Sequence, residues 1–225
     1  MAVPVKLKTV MGPSTDKLYP GGARMIVFPA MPVRNACVSI TFHREIFSPE
    51  ECQGIIDSID QKAWKEGLVG GHGRPGEFLE KPEARSCREQ QLPIQSNGYP
   101  INRICAELCQ ANSDGWKFEL SGIVGDDMPF VMRYDADGRG HNDWHVDLGQ
   151  AVNASRKLAF TVQLSEADSY EGGDLTFHNM NLDNNVVRKI GTMTVFPTYW
   201  LHRVAPVTQG VRYAAVGWMH GPSFR

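Results

Sequence analysis

His145 and Asp147 stand two residues apart, and His202 and then Arg212 follow far downstream. On an extended strand, side chains two residues apart project to the same face. His145 and Asp147 can therefore offer one nitrogen and one oxygen to a single ion while Trp144 and Val146 face the other way. A second imidazole from a distant strand, His202, completes the two-histidine, one-carboxylate set that holds non-haem Fe(II) with coordination positions left open. Arg212 adds a planar, always-charged fork suited to a carboxylate. These residue types in this order point to an iron oxygenase that uses a keto-acid co-substrate.

Each of these signals has a blander competitor. A lone His-x-Asp is more simply a surface strand with two polar residues, and Arg212 could form a rim salt bridge. An arginine set among Val211, Tyr213, Ala214, Ala215 and Val216 is costly to bury, however, without a fixed anion. The segment Gly140 to Asp147 also holds an overlapping pair, His141 and Asp143. Because Gly138-Arg139-Gly140 precedes it, that pair is expected in the turn entering the strand. His145 and Asp147, beside Trp144 and Leu148, are expected on rigid, packed backbone, where ligands are best supported. Glu171-Gly172-Gly173-Asp174 reads as a hairpin turn at its glycines. His43, His72, His178 and His220 read as solvated or internally satisfied histidines, and Arg133 as a partner of Asp135 or a substrate-facing residue.

The elements that must position these groups divide the chain in two. Residues 1–35 carry Pro4, Pro13, Pro20, Gly21, Gly22, Pro29 and Pro32, an irregular arm. Val38, Ile40 and Phe42 alternate as in a strand. Ser48-Pro49-Glu50-Glu51 is a capping-box helix start, followed by an apolar stripe of Cys52, Ile55, Ile56, Ile59 and Ala63. The glycine- and proline-rich stretch 67–83 is expected to be a loop and a lid. Ile101, Ile104, Cys105 and Leu108 mark a second amphipathic helix.

From Trp116 onward the period changes to two: Trp116, Phe118 and Leu120 alternate with polar residues. Leu158, Phe160, Val162 and Leu164 alternate with Lys157, Ala159, Thr161 and Gln163. Short strands are also expected at 129–134, 174–178, 186–190, 192–196 and 211–219. Gln209-Gly210 is expected to turn the Arg212 strand back beside the His202 strand. Helices first and short strands later predict a mainly β fold with helices packed on one outer face.

The bulk composition narrows the partners. With 225 residues, 42% hydrophobic, one domain over 1–225 is expected, and a formal charge of −2 gives no electrostatic reason for nucleic acid or an anionic membrane as partner. Five cysteines without framework spacing suggest free thiols. The first residues lack a signal-peptide apolar core, and no run approaches the ~18 apolar residues of a membrane span, so a cytoplasmic protein is expected.

Taken together, Arg133-Tyr134, His145-Val146-Asp147, Tyr170-Glu171-Gly172-Gly173-Asp174-Leu175-Thr176-Phe177, and Gly191 to Arg212 with Trp218 and Gly221-Pro222 resemble the iron- and 2-oxoglutarate-dependent dioxygenases, in their prolyl 4-hydroxylase-like branch. Residues 116–225 carry most of the resemblance. The N-terminal half carries it more loosely, in Phe47 to Cys52 and Arg85-Ser86. The resemblance implies a double-stranded β-helix (jelly-roll) with Fe(II) on His145, Asp147 and His202, and Arg212 gripping the distal carboxylate of 2-oxoglutarate. Tyr134 and Thr161 are implied as further co-substrate contacts. Where that branch usually carries lysine this chain has Arg212, which points to a related subgroup, and the Asp147 carboxylate disfavours the halogenase variant of the fold. The implied reaction uses O2, with ascorbate as a supporting reductant, to hydroxylate an unactivated C–H bond of a peptidyl proline, a free amino acid or a small metabolite. Two other readings use the same residues: a metal-dependent jelly-roll hydrolase or isomerase, and a non-catalytic jelly-roll binding module.

Overall fold

A computed structural model describes residues 41–70 and 78–224. Its elements run β1 (Phe42–Glu45), α1 (Pro49–Asp57), β2 (Lys65–Glu66), β3 (Val69–Gly70), β4 (Phe78–Leu79), β5 (Arg85–Ser86), β6 (Arg88–Gln91), α2 (Ile101–Asp114), β7 (Phe130–Asp135), β8 (His141–His145), β9 (Arg156–Gln163), β10 (Tyr170–Gly172), β11 (Leu175–Phe177), α3 (Asn184–Val187), β12 (Thr192–Pro197), β13 (His202–Val204) and β14 (Val207–His220). A major sheet has the order β1-β12-β9-β14-β7-β6-β2, with β10 added against β14, and a minor sheet has the order β11-β13-β8-β5. All their ladders are antiparallel. This is the expected jelly-roll with flanking helices, and these elements lie in one compact unit, Cys37–Arg225.

Strand alternation sorts the side chains of the major sheet into two layers. Leu158, Phe160 and Val162 of β9, Met193 and Val195 of β12, and Ala215 and Met219 of β14 share one core with Cys52 and Ile55 of α1 and Ile104 and Leu108 of α2. Each such large side chain contributes roughly 1.5–3 kcal/mol on burial. The alternate residues face the minor sheet: Ala159 and Phe196 pack with Leu175 and Phe177, and Met132 and Tyr134 pack with Val204. The space between the sheets is where the candidate chemistry lies.

Local chemistry explains which elements formed. Ser48 caps α1 as expected: its hydroxyl accepts from the Glu51 N–H at 3.2 Å while its own N–H donates to the Glu51 carboxylate at 2.9 Å. The helix stops at Asp57 with Ser58 as cap, so Ile59 packs from beyond the helix and Ala63 is not part of its stripe. Among the described residues, no helix is long and apolar enough to cross a membrane. Cys52, Cys87, Cys105 and Cys109 are free thiols.

Several expectations are corrected. Trp116 to Leu120 is not a strand. The Asn112 side chain accepts from the Phe118 N–H and donates to the Phe118 carbonyl, taking the backbone groups a ladder would use, and Lys117 has φ of 55°. The 186–190 run overlaps α3, because Asp183 caps Asn185 and starts a helical turn. The 67–83 stretch is not all loop: β3 pairs with β4 and the Gly67 N–H donates to the Cys87 carbonyl, while residues 71–77, with His72 and the centre of the expected lid, lie outside the described residues. So do the arm 1–35 and most of the expected strand ending at Phe42.

Two further corrections change the topology. Gln209-Gly210 is not a turn: both residues sit inside β14 and pair with β10, and the reversal comes earlier, at Ala205-Pro206. The Arg212 strand therefore belongs to the major sheet and the His202 strand to the minor one. Gly172-Gly173 is likewise not a hairpin, because β10 pairs with β14 and β11 with β13, so the two glycines carry the chain from one sheet to the other. Both have positive φ, and a Cβ on Gly172 would meet the Pro206 carbonyl oxygen at 2.2 Å.

Candidate active site

The minor sheet sets the metal-competent cluster. His145 on β8 and His202 on β13 are cross-strand partners, which brings their ring centroids to 4.2 Å. β8 begins at His141 and ends at His145, so His145 is on the strand as expected, but the first His-x-Asp pair is on it too, not in the turn before it, and Asp147 lies just past its end. Asp147 is fixed there because its N–H and that of Leu148 both donate to the Thr198 carbonyl. One ligand atom from each of His145, Asp147 and His202 falls within 4.8 Å of the others.

The ring nitrogens are assigned by their neighbours. His145 Nδ1 lies 2.7 Å from the Asp143 carbonyl and His202 Nδ1 lies 2.9 Å from the Trp200 carbonyl. Each Nδ1 therefore carries the proton and donates, and each Nε2 keeps its lone pair, the arrangement that suits a metal-binding histidine. Both Nε2 atoms are 3.6 Å from an oxygen of Asp147, a separation that one ion roughly 2.1 Å from each atom can span. The Asn142 amide also reaches His145 Nε2, at 3.2 Å.

Asp147 and His202 are buried, and His145 keeps 30% of its side chain exposed, which puts the open side of the cluster there. Burial disfavours a charged Asp147. The adjacent His202 and His145 rings and a hydrogen bond from Trp218 outweigh it and hold the carboxyl well below its ordinary range. Burial also pushes His202 down, against the opposing pull of Asp147, which favours the neutral ring with a lone pair to donate.

A buried charge relay stands behind Asp147. Arg156 makes a two-point contact with Asp127, both bonds 2.6 Å, lies flat 3.4 Å from the Trp218 ring centroid, and reaches the Asp147 carbonyl at 3.3 Å. His220, expected as an unremarkable satisfied histidine, joins it: Ser155 Oγ and a ring nitrogen are 2.9 Å apart, and Nε2 is 3.0 Å from Asp127. His43 is held between Thr41 and Thr194, and His178 packs edge-on against Trp144. Arg133 pairs with Asp135.

Arg212 lies on β14 of the other sheet, only 4% exposed, on the same strand face as the buried Ala214. Its Nε donates to Gln163 at 3.2 Å, and its Nη1 is buried with no hydrogen-bond partner among the described residues. A buried guanidinium nitrogen without an acceptor is costly, so the site is chemically suited to an anion. A small cavity of about 10 Å³ lies here, lined by Thr161, Gln163, Tyr170 and Thr192 around Arg212, with Gly173 and Leu175 from the crossing between sheets. Gly173 is required: a Cβ there would approach Arg212 Cδ to 3.0 Å.

Thr161 lines this cavity. Tyr134 instead sits beside Arg212 in the β7–β14 ladder, with the guanidinium 5.3 Å above its ring, and burial pushes its phenol up to about 12. Sequence reasoning did not single out Gln163 or Tyr170 individually. The available signal was that Gln163 shares the Thr161 face of an otherwise apolar strand.

Residues 129–220 match the 2OG-Fe(II) oxygenase superfamily. The chain is 35% identical over 184 residues to a PKHD-type hydroxylase of Pseudomonas putida (strain W619), covering 77% of this chain and 74% of that one. In fold it is similar to a prolyl hydroxylase of Trichoplax adhaerens solved with a hypoxia inducible factor peptide fragment, with TM-score 0.61 and 13% identity over 80% of this chain and 83% of that one. It is also similar to a viral collagen prolyl hydroxylase from Paramecium Bursaria Chlorella virus-1 in its 2OG complex, with TM-score 0.57 and 17% identity over 80% and 96%.

Proposed function

The chain belongs to the 2OG-Fe(II) oxygenase superfamily, and from that premise we propose that His145, Asp147 and His202 hold the Fe(II) and that Arg212, with Thr161, anchors the distal carboxylate of 2-oxoglutarate. The observation that carries this is the convergence of two Nε2 lone pairs and one low-pKa carboxylate within 4.8 Å. Arg212 Nη1, buried without an acceptor, supports the anchor. Tyr134 contributes by packing against Arg212.

When bound, the iron and the keto acid supply the oxidation of an unactivated C–H bond by O2, a reactivity no side chain here provides. The protein's own residues bind and orient. Asp143 and Trp200 carbonyls fix the imidazole tautomers, Trp218 steadies Asp147, and Thr198 holds the backbone that carries it. The packed aromatic wall of Phe177 and Phe196 against His202 keeps water from that side.

The substrate we infer is a peptidyl proline. Trp144, Val146 and Leu201, each next to a cluster residue in sequence, are 38–45% exposed, and such apolar surface suits a peptide more than a small polar metabolite. A free amino acid or small metabolite is the second reading. Residues 1–225 are proposed to act as one catalytic domain, in the cytoplasm, without nucleic-acid or membrane partners. The hydrolase and binding-module readings are not favoured beside the family match. The test is anaerobic addition of 2-oxoglutarate to the Fe(II) protein, which should give a weak charge-transfer band, then aerobic turnover with proline-containing peptides and ascorbate. Succinate and hydroxyproline formed in equal amounts are expected. No band and no succinate with any substrate would overturn the assignment of the site.

A further inference from the structure

Gln163 is 2% exposed on the inner face of β9, and a buried amide must satisfy two donors and an acceptor. It does so in one orientation. Nε2 donates to the Ser165 carbonyl at 3.0 Å and to the Tyr170 hydroxyl oxygen at 3.0 Å, while Oε1 accepts from Arg212 Nε at 3.2 Å. A flipped amide would set NH2 against the guanidinium and a carbonyl against the Ser165 carbonyl, so those two contacts fix the orientation. Tyr170 is itself held: the Arg188 guanidinium lies 4.2 Å from its ring centroid, and Arg188 donates to the carbonyls of Ala167, Tyr170 and Gly172 and to Asp174. The segment that carries Tyr170 and Gly173 past Arg212 is therefore tied down along its length.

The consequence for Arg212 is geometric. Its Nε edge is occupied by Gln163, so the guanidinium cannot meet an anion side-on, and the end bearing the unpartnered Nη1 is left for the cavity. We propose that Gln163, braced by Tyr170, is a positioning residue that locks Arg212 end-on to the cavity and so gives the site its selectivity for a keto acid with a distal carboxylate. This rests on the reading of Arg212 as the co-substrate anchor. Without Gln163 the guanidinium rotates among orientations, and only the group at the far end of the co-substrate loses its partner. The keto-acid end, which belongs to the His145, Asp147 and His202 cluster, is untouched.

The test compares two ligands on the anaerobic Fe(II)-loaded protein by calorimetric titration: 2-oxoglutarate, and 2-oxobutyrate, which lacks the distal carboxylate. Gln163→Leu should weaken 2-oxoglutarate at least about tenfold, consistent with the loss of one buried charge-assisted contact, and leave 2-oxobutyrate and iron content unchanged. Tyr170→Phe should shift the same ratio in the same direction by a few fold. Arg212→Ala separates the two readings. If it leaves 2-oxoglutarate binding intact, the anchor assignment itself is wrong. If it weakens binding while Gln163→Leu leaves the ratio of the two ligands as in the parent, only the positioning role is overturned. Should Gln163→Leu fail to fold, the ratio measured in Tyr170→Phe decides the matter: an unchanged ratio overturns the proposal.

Discussion

His141 and Asp143 and, four residues on, His145 and Asp147 are the same two residue types at the same spacing, yet among the described residues only the second pair joins a cluster with metal-ligand spacing. His141 has a backbone carbonyl at each ring nitrogen, Arg139 at 2.9 Å and Glu83 at 3.2 Å, so neither nitrogen is open toward an ion. His145 meets one carbonyl, through Nδ1, and Nε2, with the Asn142 amide 3.2 Å away, faces Asp147 and His202. The carboxylates differ in the same way. Asp143 is exposed and accepts from the Trp144 N–H, whereas Asp147 is buried between imidazoles and the Trp218 indole. A motif of this kind acquires its chemistry from what its neighbours leave unpaired.

The sharpest way to break the comparison is to exchange the two histidines' fates. His145→Ala should abolish Fe(II) retention and succinate formation together, read by metal analysis and turnover. Next in size is the support behind Asp147. Asp127→Asn leaves Arg156 buried beside a weakened partner and should cost about 3 kcal/mol in chemical denaturation, since a broken buried pair leaves an uncompensated charge. An unchanged midpoint would mean the relay is not structural. Trp218→Phe keeps the packing and removes one N–H. Fe(II) affinity should fall roughly 10–100-fold, the usual effect of losing a partner that orients a ligand, and competition with a chelator would measure it. The smallest effect belongs to the first pair. His141→Ala should retain iron and turnover with stability changed by no more than about 0.5 kcal/mol. A His141→Ala protein without iron would reverse the assignment of the two pairs.

Much of this was legible without coordinates, and the reasons are local. Ser48 and Glu51 form a capping box from four consecutive residues. The alternation of Leu158, Phe160 and Val162 against Ala159, Thr161 and Gln163 already separates a helix-packed face from a cavity-lining face. The failures are equally physical. Trp116, Phe118 and Leu120 alternate as a strand should, but Asn112 claims the Phe118 backbone. Gln209-Gly210 and Gly172-Gly173 both look like tight turns, yet the first lies within a ladder and the second bridges two sheets. Glycine reports permissive backbone and close approach, and does not say which of its uses applies.

From residue order alone came a mainly β core with helices on one face and a candidate set of two imidazoles, a carboxylate and a guanidinium, because those depend on side-chain identity and on periodicities of two and 3.6, while the jelly-roll came from the family resemblance. Only the folded chain decided that His145 and His202 would be cross-strand partners, that Arg212 would stand on the opposite sheet, and that Gln163 would occupy one edge of it. Those facts depend on pairings between residues far apart in the chain, and on which hydrogen-bonding atoms remain free once the backbone has taken its share.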